Sequence, residues 1–370
     1  MATPAIVPAA VKVYTLAQIA RALMINLERD VPTIIIGPVG VGKTDVVRQC
    51  AERLRNGAWQ GKKLRVLVID KRASQMEPTD IAVPMPDLAT RMVVMCLQEW
   101  LPSAAEAATW DIIILLLDEL SDATLAVQAA FNQLILEREL PGYKLPANVR
   151  LVATGNRQED RGNAQKFNRA TANRMAVFVA GIDVASWRVW ASNHLSPELL
   201  AFVDNEVRIL EHDGKPVSLA LHEYPAQGSD AVAFRTPRSM ARCDTYLRAG
   251  LNDADLEMMI AGNVGDKCAE RFMHFLATYR LLPDLNAIMA NPDSAPIARE
   301  PGTNFALVVA LCARLTLTNL ASVNVYVKRL SPAYQAAFWS NATARNIDPA
   351  TGKSEFADTP EYVSYKVNLS

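Results

Sequence analysis

Cysteine and histidine are scarce in this chain, and neither is arranged for chemistry. The five cysteines, Cys50, Cys96, Cys243, Cys268 and Cys312, are odd in number and widely scattered. They form no CxxC pair, which excludes the usual zinc and dithiol motifs and leaves them as core or surface thiols. The four histidines, His194, His212, His222 and His274, lack the close pairing of a helical metal site, so histidine-bound metal is not expected. Long hydrophobic runs are also missing. A run such as Ile112 to Leu117 falls far short of the roughly 20 residues that cross a bilayer, and no membrane span is expected. The first residues, MATPAIVPAAVKVYTL, lack the charged start, apolar stretch and cleavage site of a secretion signal. A cytoplasmic location is the expectation. Net charge is nearly absent, with 38 Lys+Arg against 39 Asp+Glu giving −1. Without a basic field, nucleic acid is not the default partner. There is no internal repeat and no low-complexity tract.

What is present is ample core material. Half of the 370 residues are hydrophobic and 21% are charged, a balance typical of folded globular chains. The length exceeds what one hydrophobic core serves, so two domains are expected, with room for a small third. Thr15 to Glu28 carries Leu16, Ile19, Leu23 and Leu27 at helical spacing behind a Thr that can cap the first turn. Thr33 to Ile36 is short, β-branched and followed by glycines, which suits a buried parallel strand feeding a tight turn and then a helix from Thr44 to about Leu54. Arg65 to Asp70, Ile112 to Leu117, Val149 to Thr154 and Met175 to Ala180 repeat the strand signature at crossover spacing. The reading is an α/β domain, a parallel sheet sandwiched by helices, over 1–182. Helical patterns dominate 183–370, among them Ser239 to Ala249, Leu256 to Ile260, Cys268 to Leu281, Phe305 to Leu317 and Ser322 to Leu330. Glu211 to Ala233 reads as a polar surface loop, and the tail after Arg345 as irregular structure packed on the helices.

Three motifs carry chemistry. GPVGVGKT, spanning Gly37, Pro38, Val39, Gly40, Val41, Gly42, Lys43 and Thr44, fits G-x-x-x-x-G-K-[ST]. Its glycines free backbone amides to wrap phosphate oxygens. The helix that follows adds its positive N-terminal dipole, Lys43 would neutralise the β- and γ-phosphates, and the Thr44 hydroxyl would ligate Mg²⁺. The second motif, IIILLLDEL, delivers Asp118 and Glu119 at the C-terminal end of a buried strand, where open α/β sheets bind ligands. There Asp118 would hold the Mg²⁺ through water and Glu119 would orient and deprotonate an attacking water. An acidic pair after a strand is by itself as often a helix cap; behind a phosphate loop it reads as a site. The third, LVATGNR, brings Asn156 to the same sheet edge. Asn156 there could place the water and report the γ-phosphate, or merely serve a turn.

The order of these elements resembles the AAA+ superfamily, specifically its MoxR branch, over nearly the whole chain. The resemblance implies an ATPase using ATP and Mg²⁺, with an α/β core, a helical lid and a C-terminal extension. Since the loop reads phosphates and not the base, ATP over GTP comes from the family alone. Asn156 takes the sensor-one position. FNRATANRM implies Arg174 as the arginine finger acting on a neighbour's nucleotide, with Arg169 as the alternative, and TPRSM implies Arg238 as sensor two. RASQMEPTDIAVPMPD resembles an insert in the family's second helix, placed at about 74–110, and accounts for the spacing of Lys43 from Asp118. FNQLILERELPGYKLPANVRLVATGN resembles a hairpin before sensor one, at about 138–148, and ANRMAVFVAGIDVASWRVWASNH resembles a bacterial and phage subgroup. The chain departs from the pattern at Ala82, where relatives carry Gly, and at Met175, where Phe is usual. The implied assembly is a homo-oligomer, a hexameric ring, that remodels a protein client with a von Willebrand factor A-type partner. Two other readings stand beside it: a DNA-directed motor or loader, and a nucleotide-gated assembly module with little turnover.

Overall fold

The structure is a computed structural model that describes residues 12–57, 59, 61–157, 173–225, 230–298, 301–343 and 354–368. The chain divides into two compact units, Met1–Gly181 and Ile182–Ser370.

The first unit is an α/β layer structure. In chain order it holds β1 (Val13–Tyr14), α1 (Leu16–Arg29), β2 (Thr33–Ile36), α2 (Lys43–Arg55), β3 (Val66–Arg72), β4 (Ala82–Asp87), β5 (Met92–Leu97), α3 (Ala104–Ala107), β6 (Ile112–Asp118), α4 (Leu125–Glu137), β7 (Glu139–Leu140), β8 (Tyr143–Lys144), β9 (Val149–Gly155) and β10 (Ala176–Ala180). Six strands form one sheet in the order β1-β10-β2-β9-β6-β3, and every pairing in it is parallel. Covered on both faces, such a sheet needs strands that are apolar throughout. Accordingly, all seven residues of β6 are buried. Thr15 caps α1 through a reciprocal box with Gln18, and Thr124 caps α4 by accepting from Val127 N–H. Phe131 and Leu134 of α4 pack with Ile113, Leu115 and Leu117 of β6 on one face.

Two small hairpins stand apart from this sheet. β4 pairs antiparallel with β5 inside the stretch read as an insert, and β7 pairs with β8 through Gly142, which takes φ 79°. The prolines of IAVPMPD give the first of these strands no strand signature in the sequence.

The second unit is helical: α5 (Val184–Ala191), α6 (Pro197–His212), α7 (Pro237–Leu247), α8 (Asp253–Val264), α9 (Asp266–Tyr279), α10 (Leu285–Ala290), α11 (Pro301–Ala313), α12 (Leu320–Lys328), α13 (Pro332–Thr343) and α14 (Pro360–Val367). One core gathers Phe202 of α6, Leu256 of α8 and Phe272 of α9; another gathers Leu307, Tyr326, Phe338 and Trp339 with Phe356. The segment read as a surface loop, Glu211 to Ala233, contains regular structure at its described ends. Helix α6 runs through His212, and Glu223 and Arg235 pair across a short antiparallel bridge. The tail expected to be irregular ends in the helix α14, started by Pro360 at its first position, where the missing N–H costs nothing. Among the described residues no helix is long and apolar enough to cross a membrane.

Candidate nucleotide site

Strands β2, β9 and β6 lie side by side and end at one edge of the sheet, in a register that pairs Ile36 with Gly155 and Leu117 with Ala153. The chain leaves β2 through Gly37, whose N–H donates to the Gly155 carbonyl at 3.1 Å. A Cβ at Gly37 would lie 2.9 Å from both Cβ and the carbonyl oxygen of Ala180, so only glycine lets the loop start this close to β10. Pro38, Val39, Gly40 and Val41 carry the loop onward. Gly40 and Gly42 take φ 73° and 106°, the left-handed region that side chains avoid. Gly42 is the N-cap of α2 and supplies no side-chain cap, and the positive end of the helix dipole there favours an anion.

Lys43 opens α2 but turns its side chain back over the loop. Its Nζ donates to the carbonyls of Gly37 at 2.8 Å and Pro38 at 2.9 Å, and to Asn156 Oδ1 at 2.9 Å. Lysine and Asn156 therefore meet 113 positions apart in sequence. The Thr44 hydroxyl donates to Asp118 Oδ1 at 2.9 Å. A second hydroxyl, from Thr154, donates to the same oxygen while accepting the Glu119 N–H at 3.0 Å. Glu119 needs that support, for it sits at φ 57° and ψ 34°, a left-handed conformation that is uncommon for a residue with a side chain. Its carboxylate accepts from the Ser74 hydroxyl at 2.6 Å and lies 3.8 Å from Arg72 Nε.

Asn156 is fixed from two sides. Its N–H donates to Ser121 Oγ at 2.7 Å, and its side-chain Nδ2 donates to Asp122 Oδ2 at 2.6 Å. The amide orientation follows, with the donor committed to Asp122 and the acceptor turned to Lys43. A Cβ at Gly155 would lie 2.9 Å from Ser121 Oγ, so the glycine admits Ser121. Burial raises the Asp122 carboxyl above its ordinary range; the Asn156 hydrogen bond opposes this, the negative Glu119 adds to it, and Lys43 again opposes it. Its other oxygen is buried without a partner.

The structure thus brings Lys43, Thr44, Asp118, Glu119 and Asn156 to one edge. The motifs did not reveal Ser74, Ser121, Asp122 and Thr154, which complete the network; the one signal for them is a threonine in the otherwise apolar strand LVAT. Arg174 is exposed on a turn just ahead of β10, and Arg169 lies outside the described residues. Arg238 is exposed in the first turn of α7, in the second unit. The anchor of that helix is its neighbour Arg235, buried and paired with Glu206 at 2.7 Å and Glu223 at 2.6 Å.

Hydroxyl and carboxylate oxygens at the Thr44–Asp118 pair are the hard donors that Mg²⁺ prefers, and a lysine at the N-terminus of a helix suits a polyphosphate. The residues fit both groups.

Residues 32–175 match the AAA domain family, dynein-related subfamily, a segment that runs from the entry of β2 past Asn156 to Met175. Over that segment the chain is similar to AAA domains. Its AAA+ domain is of the type that binds and hydrolyses nucleotide, and the parallel core with its helical extension is AAA+ architecture. The match does not reach the MoxR branch. A search of curated proteins finds no match. Among solved structures, the chain is similar to a putative ATPase from Cytophaga hutchinsonii, with 11% identity, covering 96% of this chain and 89% of that one, TM-score 0.32. It is similar to the Thermotoga maritima RuvB Holliday junction branch migration motor, with 14% identity, covering 85% and 86%, TM-score 0.34. It is also similar to a Thermotoga maritima DNA polymerase III gamma subunit-related protein, with 11% identity, covering 95% and 99%, TM-score 0.35.

Proposed function

We propose that the AAA+ domain hydrolyses ATP with Mg²⁺ in a ring of identical subunits, and that the cycle remodels a protein client. The observation that carries this is the convergence of Lys43, the Thr44–Asp118 pair, Glu119 and Asn156 on one sheet edge. Phosphoryl transfer needs little covalent help from a protein; it needs a positioned water and balanced charge. Lys43 exchanges its loop carbonyls for phosphate oxygens. Thr44 and Asp118 would hold Mg²⁺, which balances phosphate charge when bound. Glu119 takes the proton of the attacking water, and Asn156, its donor held by Asp122, offers an acceptor oxygen to orient that water. Arg238 keeps the sensor-two role that TPRSM implies.

Arg174 is the proposed arginine finger, exposed on its turn and acting on the neighbour's nucleotide. An arginine supplied in trans is worth roughly 10³- to 10⁵-fold. Head-to-tail contacts that close into a ring give every subunit one, and the MoxR resemblance makes that ring a hexamer. The same resemblance supplies the von Willebrand factor A-type partner. A mixing experiment tests the shared site. Arg174→Ala and Lys43→Met proteins should each be inactive alone, and mixed equally they should regain about a quarter of wild-type turnover, because a Lys43→Met subunit can lend its arginine to an Arg174→Ala neighbour. No recovery, together with recovery for Arg169→Ala in the same assay, moves the finger to Arg169. A DNA-directed motor is the competing outcome, marked by salt-sensitive DNA binding and DNA-stimulated turnover. An assembly module without turnover would assemble and act normally as Glu119→Gln.

A further inference from the structure

The β4–β5 hairpin carries apolar side chains on both faces. Met85, Leu88, Met92, Val93 and Val94 are 47%, 87%, 65%, 66% and 45% exposed. Two strands alone are marginal in water, so these faces call for a further element.

The two edges of the hairpin are not equivalent. In the register, Pro84 stands opposite Met95 and Pro86 opposite Val93. Antiparallel strands exchange N–H···O bonds only at alternate pairs, and proline has no N–H to exchange. The exchanging pairs are therefore Val83 with Cys96, Met85 with Val94 and Asp87 with Met92. It follows that Pro84 and Pro86 turn their nitrogens outward and leave the outer edge of β4 without donors at both positions, with Ala82 alone keeping an outward N–H on that strand, a common guard against strand pairing. On β5 the outward amides include those of Val93 and Met95, and neither has another backbone partner among the described residues. The hairpin has one closed edge and one open edge.

Charge narrows the occupant. Between Ala82 and Leu97 the only charged residues are Asp87 and Arg91. Asp87 is engaged within its own turn by Ala89 N–H at 3.0 Å and the Thr90 hydroxyl at 2.7 Å. A nucleic acid would require several cations here. A second copy in a head-to-tail ring would have to extend the sheet from a β5 edge to a β4 edge, where the prolines remove the donors; a β5-to-β5 pairing is two-fold and stops at a dimer.

We infer that the β5 edge takes up an extended, apolar polypeptide segment of another protein as a third strand. This rests on the reading of the chain as a remodeller of protein clients and names how such a client is held: backbone bonds at Val93 and Met95 give affinity, and the flanking apolar faces select apolar residues.

The test uses the full chain and a fluorescein-labelled peptide of roughly twelve residues alternating Val and Thr, with binding read by anisotropy. Val93→Pro removes one outward N–H and no ladder bond, and should weaken binding by at least about tenfold. Val93→Thr keeps the N–H and should stay within about threefold of wild type. Residue-resolved hydrogen exchange on the wild-type protein provides a check that needs no variant: bound peptide should slow the amides of Val93 and Met95 and leave those of Val94 and Cys96 unchanged. Equal binding by Val93→Pro, absence of that protection, or binding of duplex DNA in place of the peptide overturns the inference. Basal ATP turnover should be unchanged in Val93→Pro. Failure of the ATPase reading would show instead as wild-type turnover no higher than that of Glu119→Gln, whatever the peptide does.

Discussion

Replacing Thr154 by valine keeps the shape of the side chain and removes one hydroxyl. That hydroxyl is fully buried, donates to Asp118 and accepts the Glu119 N–H at 3.0 Å. A hydrogen bond to a charged acceptor contributes about 1.5–3 kcal/mol, and a buried N–H left unpaired costs about 1–3 kcal/mol. The added methyl returns about 0.8 kcal/mol of burial. The net loss is about 3 kcal/mol. Thr154→Ser keeps both bonds and loses one methyl, at about 1 kcal/mol. The two variants also separate in chemistry, because the lost acceptor is what holds Glu119 in its left-handed conformation. A displacement of the proton acceptor on the order of 1 Å costs about 100-fold in turnover. Urea unfolding followed by circular dichroism, alongside steady-state phosphate release, measures both effects. The serine variant should turn over near wild type and the valine variant about 10- to 100-fold slower. Equal stability and equal turnover for the two variants would refute the bridging role of Thr154.

Further outcomes follow from neighbouring contacts. Ser74→Ala frees the Glu119 carboxylate from a 2.6 Å bond and should raise basal kcat about tenfold with KM unchanged, since that bond competes with the water by about 1.5–3 kcal/mol; initial-rate kinetics decide it. Gly37→Ala drives a Cβ to 2.9 Å from the Ala180 backbone oxygen and should weaken nucleotide binding at least about tenfold while costing about 1–3 kcal/mol of stability, both measurable by calorimetry. Asp204, buried beside Arg188 at 2.8 Å, is pushed up to about 6 from an ordinary 3.8 by loss of hydration, with Arg188 and Asn341 opposing. Because the folded value is the higher one, the native state holds the extra proton between these values. Stability should therefore fall as pH rises from about 4 to 6, by up to about 1.4 kcal/mol per pH unit, and then level off. Asp204→Asn should flatten that slope in denaturant titrations run across the window.

The sheet was legible in the sequence because its physics is local. Buried parallel strands must be largely apolar, and the IIILLL of β6 and the LVA of β9 are; glycines must follow β2, and they do. The phosphate loop was legible because each of its residues meets a separate requirement at fixed spacing. The remainder of the network depends on strand register. Arg72 stands opposite Asp118 only once β3 pairs with β6, and Ser74, two residues on, is thereby brought to Glu119. Thr154 and Ser121 look like ordinary small polar residues until β9 lies against β6. The β4–β5 hairpin was hidden for another reason: Pro84 and Pro86, which read as loop residues, are tolerated because both turn their nitrogens to the outer side of β4, away from the β5 ladder. Helix α7 shows the limit of motif reading, since TPRSM drew attention to Arg238 while the buried ion pairs that hold the helix start belong to Arg235.

The central claim is that the edge formed by Gly37 to Thr44, Asp118, Glu119 and Asn156 hydrolyses ATP. Phosphate release by the purified chain with ATP and Mg²⁺, compared with Glu119→Gln at equal nucleotide occupancy, tests it most directly. Turnover in the wild type that falls at least about 100-fold in Glu119→Gln, with ATP still bound, is the predicted result. Equal turnover in the two proteins, or none in either at full occupancy, would contradict it.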